Sequence, residues 1–151
     1  MKPRAAWPVL VRKSKEAVEK AQSDVVKMRE RIQALKANHE RYHALLLEYQ
    51  QRCLIEERTP QPIERARNFR AFIQQIQALL NRVRDDIQVA QDQLHTLQKI
   101  LQQAEHKKLQ METLMAQDQA RVAQFLRQKS QKEMDAAGIQ GYQLRQRRAA
   151  A

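Results

Sequence analysis

Glycine and proline are nearly absent, with two and four copies in 151 residues, which excludes a fold built from many tight turns. Aromatic residues are only 5% of the chain against 30% charged residues, a poor basis for a globular core. The single cysteine, Cys53, cannot close an internal disulfide, so a reducing cytosol is the expected compartment. No stretch approaches the ~20 apolar residues that cross a bilayer. The start, MKPRAAWPVLVRKSKEAVEK, has too short an apolar run for a signal-peptide core.

Chemistry-bearing motifs are equally scarce. There is no Gly-rich phosphate loop, and the four histidines, His39, His43, His95 and His106, are scattered. His39 and His43 stand four apart, a spacing that can hold zinc, but no carboxylate motif accompanies them. The acidic pairs Asp85/Asp86 and Glu56/Glu57 read as solvated charges rather than paired acids. The expectation is a protein that is not an enzyme, with no cofactor and no metal.

What is abundant is Ala, Leu, Glu, Lys, Gln and Arg, the residues that lose least on entering a helix. Between Ser14 and Gly138 the only helix breakers are Pro60 and Pro62, which cut the chain once. A first helix is predicted over about 9–58, a turn at 59–62, a second helix over about 63–137, and a flexible basic tail at 138–151. The whole of 1–151 is expected to be one coiled-coil domain.

Alternating steps of three and four expose a ladder on each helix. The first reads Val11, Ser14, Val18, Ala21, Val25, Met28, Ile32, Leu35, His39, Tyr42, Leu46, Tyr49, Cys53. The second reads Ala66, Phe69, Ile73, Ile76, Leu80, Val83, Ile87, Ala90, Leu94, Leu97, Leu101, Ala104. This spacing predicts an all-α, two-helix antiparallel coiled-coil hairpin with a longer, overhanging second helix. Setting Cys53 opposite Ala66 brings Val11 level with Lys108, where the second ladder turns mixed: Lys108, Met111, Met115, Asp118, Val122, Phe125, Lys129. The seam is therefore expected to end there.

Two surfaces stand out. Beside the seam, Leu45, Phe72 and Leu79 fall on one flank, while the opposite flank carries Gln50, Arg70, Gln77 and Arg84. An apolar cluster of that kind is a candidate docking site, or else a broadening of the seam itself. At the end carrying both termini, Lys2, Arg4, Arg12, Lys13 and Lys15 gather with Arg121, Arg127, Lys129 and Lys132. Arg145, Arg147 and Arg148 follow. Met111, Leu114, Met115, Val122, Phe125 and Leu126 are expected to lack an intramolecular partner there. Such an end suits an acidic and apolar receptor, or is a solvated basic tail.

In several stretches the chain resembles the FliJ family of flagellar type III export components and their injectisome relatives of the YscO type. The segments are PVLVRKSKEAVEKAQ at the start, LLLEYQQR closing the first helix, NFRAFIQQIQALL opening the second, LQKILQQAEHKK, and RQKSQKEMD near the close. The resemblance implies a central-stalk and chaperone-escort role, at the cytoplasmic face of the inner-membrane export apparatus. The terminal end would enter a hexameric export ATPase and a face nearer the hairpin tip would meet the cytoplasmic region of the export gate. Export chaperones are the further partners it implies, with membrane contact only peripheral, through the apparatus.

Carried onto this sequence, the gate-facing pattern falls on Asn38, Tyr42, Leu45, Tyr49, Phe72, Ile76, Leu79 and Val83. The ATPase-facing set is Arg12, Lys13, Lys15, Met115, Arg121, Val122, Phe125, Arg127 and Lys129. A monomeric hairpin in isolation is expected. The net charge of +11 leaves a basic nucleic-acid-binding protein or a dimerising scaffold as the alternatives. Nucleic acid is not the expected partner, since no reading module accompanies the charge.

Overall fold

A computed structural model describes residues 4–58, 60 and 62–150. Two helices, α1 (Ala6–Glu57) and α2 (Ile63–Ala150), form an antiparallel hairpin, and no strand occurs among the described residues. Pro8 sits in the first turn of α1, where its missing N–H leaves no bond unmade. Pro62 closes the entry to α2, its carbonyl accepting from the amides of Arg65 (3.1 Å) and Ala66 (3.4 Å). Glu64 in that first turn and Arg147 and Arg148 in the last both oppose the helix dipole favourably. Within the predicted turn, Thr59 and Gln61 lie outside the described residues.

The second helix does not stop near residue 137. It continues through Gly138 and Gly141 to Ala150, so the expected tail is helical over 138–150. The physical reason is magnitude: a glycine costs a helix about 1 kcal/mol relative to alanine, too little to end a run of Ala, Gln, Leu and Arg. Neither glycine adopts positive φ. Local side-chain bonds add support, from Gln131 to Asp135 (3.1 Å) and from Gln146 to the Tyr142 hydroxyl (2.9 Å).

The contacts gather in two compact units, one of Met1–Val18 with Ala104–Ala151 and one of Glu19–Gln103. In the Glu19–Gln103 unit the ladders form the seam as predicted: Ala21, Val25, Ile32, Leu46, Ile76, Leu80, Val83 and Ala90 are all buried. Its core cluster is Leu46, Ile76 and Leu80, with Tyr42, Leu45, Tyr49 and Ile73 packed against it. Each aliphatic side chain taken fully out of water there contributes about 1.5–3 kcal/mol.

The terminal unit corrects the predicted end of the seam. The Arg4 backbone amide donates to Asp118 Oδ2 at 3.0 Å, which sets Val11 level with Met111, about one turn beyond Lys108. The ladder therefore goes on through half-buried Lys108, Met111 and Met115 to buried Asp118 and Val122. Met111 and Met115 are not unpartnered, because the N-terminal arm lies along this stretch of α2, and Val122 is buried rather than open. Beyond Val122 every described residue but Gly141 is exposed.

Candidate interaction surfaces

In the Glu19–Gln103 unit, the side chains expected to face a partner separate into those that reach the surface and those that support it. Tyr49 reaches across from α1 to two rings of α2, with centroids 4.6 Å from Phe72 and 6.2 Å from Phe69. Both contacts are inclined at about 50°, the tilted geometry that aromatic quadrupoles favour. Arg52 covers the Tyr49 ring, its Cζ 5.5 Å from the centroid, and is itself held by Glu48 at 2.8 Å. Phe72 and Leu79 remain 37% and 42% exposed, enough for both to meet a partner. Leu45 and Tyr42 are half-buried against the core beneath.

Ile76 and Val83 belong to the interior, at 2% and 9% exposure. Neither side chain offers a surface while the hairpin is closed, so the expectation of direct contact is corrected for these two. Their rungs in the α2 ladder turn them into the seam. Asn38 is half-buried and accepts a hydrogen bond from Arg41.

Around the tip, ion pairs tie the two helices on both flanks: Arg65 to Glu56 at 3.1 Å and Arg70 to Glu57 at 3.8 Å. Cys53, half-exposed, lies 3.7 Å from the Glu57 carboxylate. Partial burial, then that negative charge and hydrogen bond, push its thiol above the usual range. A thiol so placed is a weak nucleophile at neutral pH. His39 and His43 stack with centroids 6.5 Å apart. No group of three or more metal-ligating side chains occurs among the described residues.

Sequence reasoning missed a shallow depression lined by Met28, Val89, Asp92, Gln93, Thr96 and Leu97. It also missed the exposed aliphatic group Leu47, Leu54, Ile55 and Ile63. Val89, Leu47, Leu54 and Ile55 lie on outer positions of the heptads, which a search confined to seam and flanks does not visit.

In the terminal unit, Arg12, Lys13, Lys15, Arg121, Arg127 and Lys129 are all exposed, as is Phe125 at 43%. Arg12 has Glu16 3.9 Å away, with both side chains about two-thirds in water, so that pair contributes little. Arg127 donates to the Ala123 carbonyl at 3.4 Å. Phe125 and Lys129 line a shallow hollow on α2 with Gln128, Lys132, Glu133 and Ala136. Met115 is half-buried and Val122 is 7% exposed. The basic side chains are thus free to meet an acidic surface, whereas Val122 is buried. Lys2 lies outside the described residues.

Sequence reasoning passed over Asp118 and Trp7 in this unit. Asp118 stood in the ladder as a failed rung, yet the aliphatic Val122 four residues later was the signal that the spacing continued. No helix among the described residues is long and apolar enough to cross a membrane. The family model described as Flagellar FliJ protein matches residues 8–147. No curated protein matches the chain, and no solved structure does.

Proposed function

This chain belongs to the FliJ family, which gives it a role in flagellar protein export, and from that premise we propose that it is a non-enzymatic stalk and escort of the export machinery. In this reading the basic side chains and Phe125 of the terminal unit enter a hexameric export ATPase. Phe72, Leu79 and their half-buried neighbours Tyr42, Leu45 and Tyr49 meet the cytoplasmic region of the export gate. Export chaperones released from cargo are its further partners. It works in the cytoplasm at the inner-membrane apparatus, and touches the membrane only through that apparatus.

The observation that carries the reading is that two exposed surfaces of different chemistry fall in two separate units. One is an apolar flank at Phe72 and Leu79, and the other is basic with Phe125 beside it. Apolar anchors in a polar surround are the usual centre of a protein interface. A basic surface speeds encounter with an acidic partner. The Glu19–Gln103 unit buries its own seam, so binding at Phe72 and Leu79 costs little refolding.

Copurification with the export ATPase and with the gate's cytoplasmic region tests the reading. Recovery of both partners, with ATPase binding weakened by raised salt and gate binding little changed, is the expected result. Binding to neither, with retention on a nucleic-acid column instead, contradicts it.

A further inference from the structure

The seam of the terminal unit is made of different material from that of the Glu19–Gln103 unit. In the latter the buried rungs are aliphatic: Val25, Ile32, Leu46, Ile76, Leu80 and Val83. Where the N-terminal arm lies on α2, they include Ser14 and Asp118, both buried, with half-buried Lys108, Met111 and Met115 between. Ser14 is satisfied within α1, donating to the Val11 carbonyl at 2.7 Å.

Asp118 and Trp7 are placed differently. The Asp118 carboxylate is 7% exposed and accepts from the Arg4 backbone N–H, a neutral donor. Trp7 holds its indole Nε1 in the interior with no hydrogen-bond partner. A carboxylate served by an amide and an N–H served by nothing both gain hydration when the arm lifts. Methionine, at Met111 and Met115, tolerates a covered and an open face alike. Closure is held by the burial of Val11 and Val18 and opposed by these two polar groups.

We infer that residues 4–18 are a displaceable strap over the α2 face formed by Met111, Met115 and Asp118. Closed, the strap covers that face with the chain's own arm. Open, the face joins exposed Leu114 and Phe125 into a continuous apolar strip, with the Asp118 carboxylate hydrated at its edge. A partner helix with apolar seam residues then replaces the arm. Naming that partner as the export ATPase rests on the function proposed above, but the strap itself does not.

Hydrogen exchange on the full chain, followed alongside the emission of Trp7, the sole tryptophan, tests the strap. Backbone amides of residues 11–18 should exchange at least about tenfold faster than those of 25–40. Asp118→Leu, which replaces the buried charge with a seam residue, should slow exchange in the arm about tenfold and shift Trp7 emission to the blue, leaving 25–40 unchanged. The same variant should slow association with the purified ATPase, and adding Val11→Asp, which unseats the arm without touching α2, should restore the rate.

Equal exchange in both segments of the unaltered chain overturns the strap, as does an arm that ignores Asp118→Leu. An association rate unmoved when the arm is slowed, or one that Val11→Asp fails to restore, overturns its gating role. An unaltered chain that does not bind the ATPase at all defeats the export reading instead, and exchange still decides the strap.

Discussion

Tyr49 of α1 and Phe72 of α2 meet with ring centroids 4.6 Å apart and planes inclined at 52°. One ring is half-buried against the Leu46, Ile76 and Leu80 core, and the other keeps more than a third of its surface in water. The pair joins the element that holds the hairpin together to the surface assigned to a partner. Stability and recognition can therefore be separated by mutating on either side of it.

On the outer side, Phe72→Ala combined with Leu79→Ala should cost only about 2 kcal/mol of stability, because both side chains are partly exposed already. Helicity by circular dichroism should be unchanged at room temperature, as should binding to the ATPase. Affinity for the cytoplasmic region of the gate should fall at least about tenfold in a calorimetric titration, the loss expected of central apolar anchors. An unchanged gate affinity removes this flank from the interface.

Ile76→Ala probes the inner side. Ile76 is 2% exposed, and truncating a buried isoleucine typically costs about 2–5 kcal/mol. Denaturant unfolding should register a loss of that size. Gate binding, measured where the variant is still folded, should weaken less than in the double variant. A loss under about 1 kcal/mol would place Ile76 outside the packed seam.

The glycines near the end of α2 offer a gain instead. A Cβ at Gly138 or Gly141 would meet nothing within 4 Å, and both residues lie in the helix without positive φ. Gly138→Ala and Gly141→Ala should each stabilise the last turns by about 1 kcal/mol. Slower amide exchange across 136–146 is the readout. Faster exchange would mean that this segment is not helical.

Cys53 supplies a charge test at the tip. Because burial and then the Glu57 carboxylate raise its thiol, less thiolate is present at neutral pH than for a free cysteine, and alkylation should be correspondingly slow. Glu57→Gln removes the charge and should speed the reaction about two- to threefold at pH 7. Both proteins should converge once the pH exceeds the raised value. Equal rates at pH 7 would show that Cys53 and Glu57 do not face one another.

The sequence made the hairpin readable because the Pro60 and Pro62 break is isolated and both ladders are mostly apolar. That combination leaves one way to bury two stripes. Register was less readable. Fixing it from Cys53 and Ala66 used the weakest rungs, a half-exposed thiol and an alanine, and missed by about one turn. The seam is expected to end at Lys108, and Asp118 falls in the mixed stretch beyond it, since a carboxylate rarely sits inside a seam. Its partner is a backbone amide of Arg4, a donor common to nearly every residue and so without a signature in sequence. The tail was misjudged through the glycines, whose helix cost is real but small. Of the residues expected to face a partner, heptad position alone picked out Leu45, Phe72 and Leu79. It also marked Ile76 and Val83 as seam residues, which is where they lie.

Site-specific photocrosslinking tests the central claim most directly, with a reactive analogue placed in turn at Phe72 and at Phe125 in cells assembling the export apparatus. The account predicts that the Phe72 position captures the cytoplasmic region of the gate and the Phe125 position captures the ATPase, each without the other. Capture of the same protein from both positions, or of nucleic acid from either, would contradict a stalk that uses two surfaces for two partners.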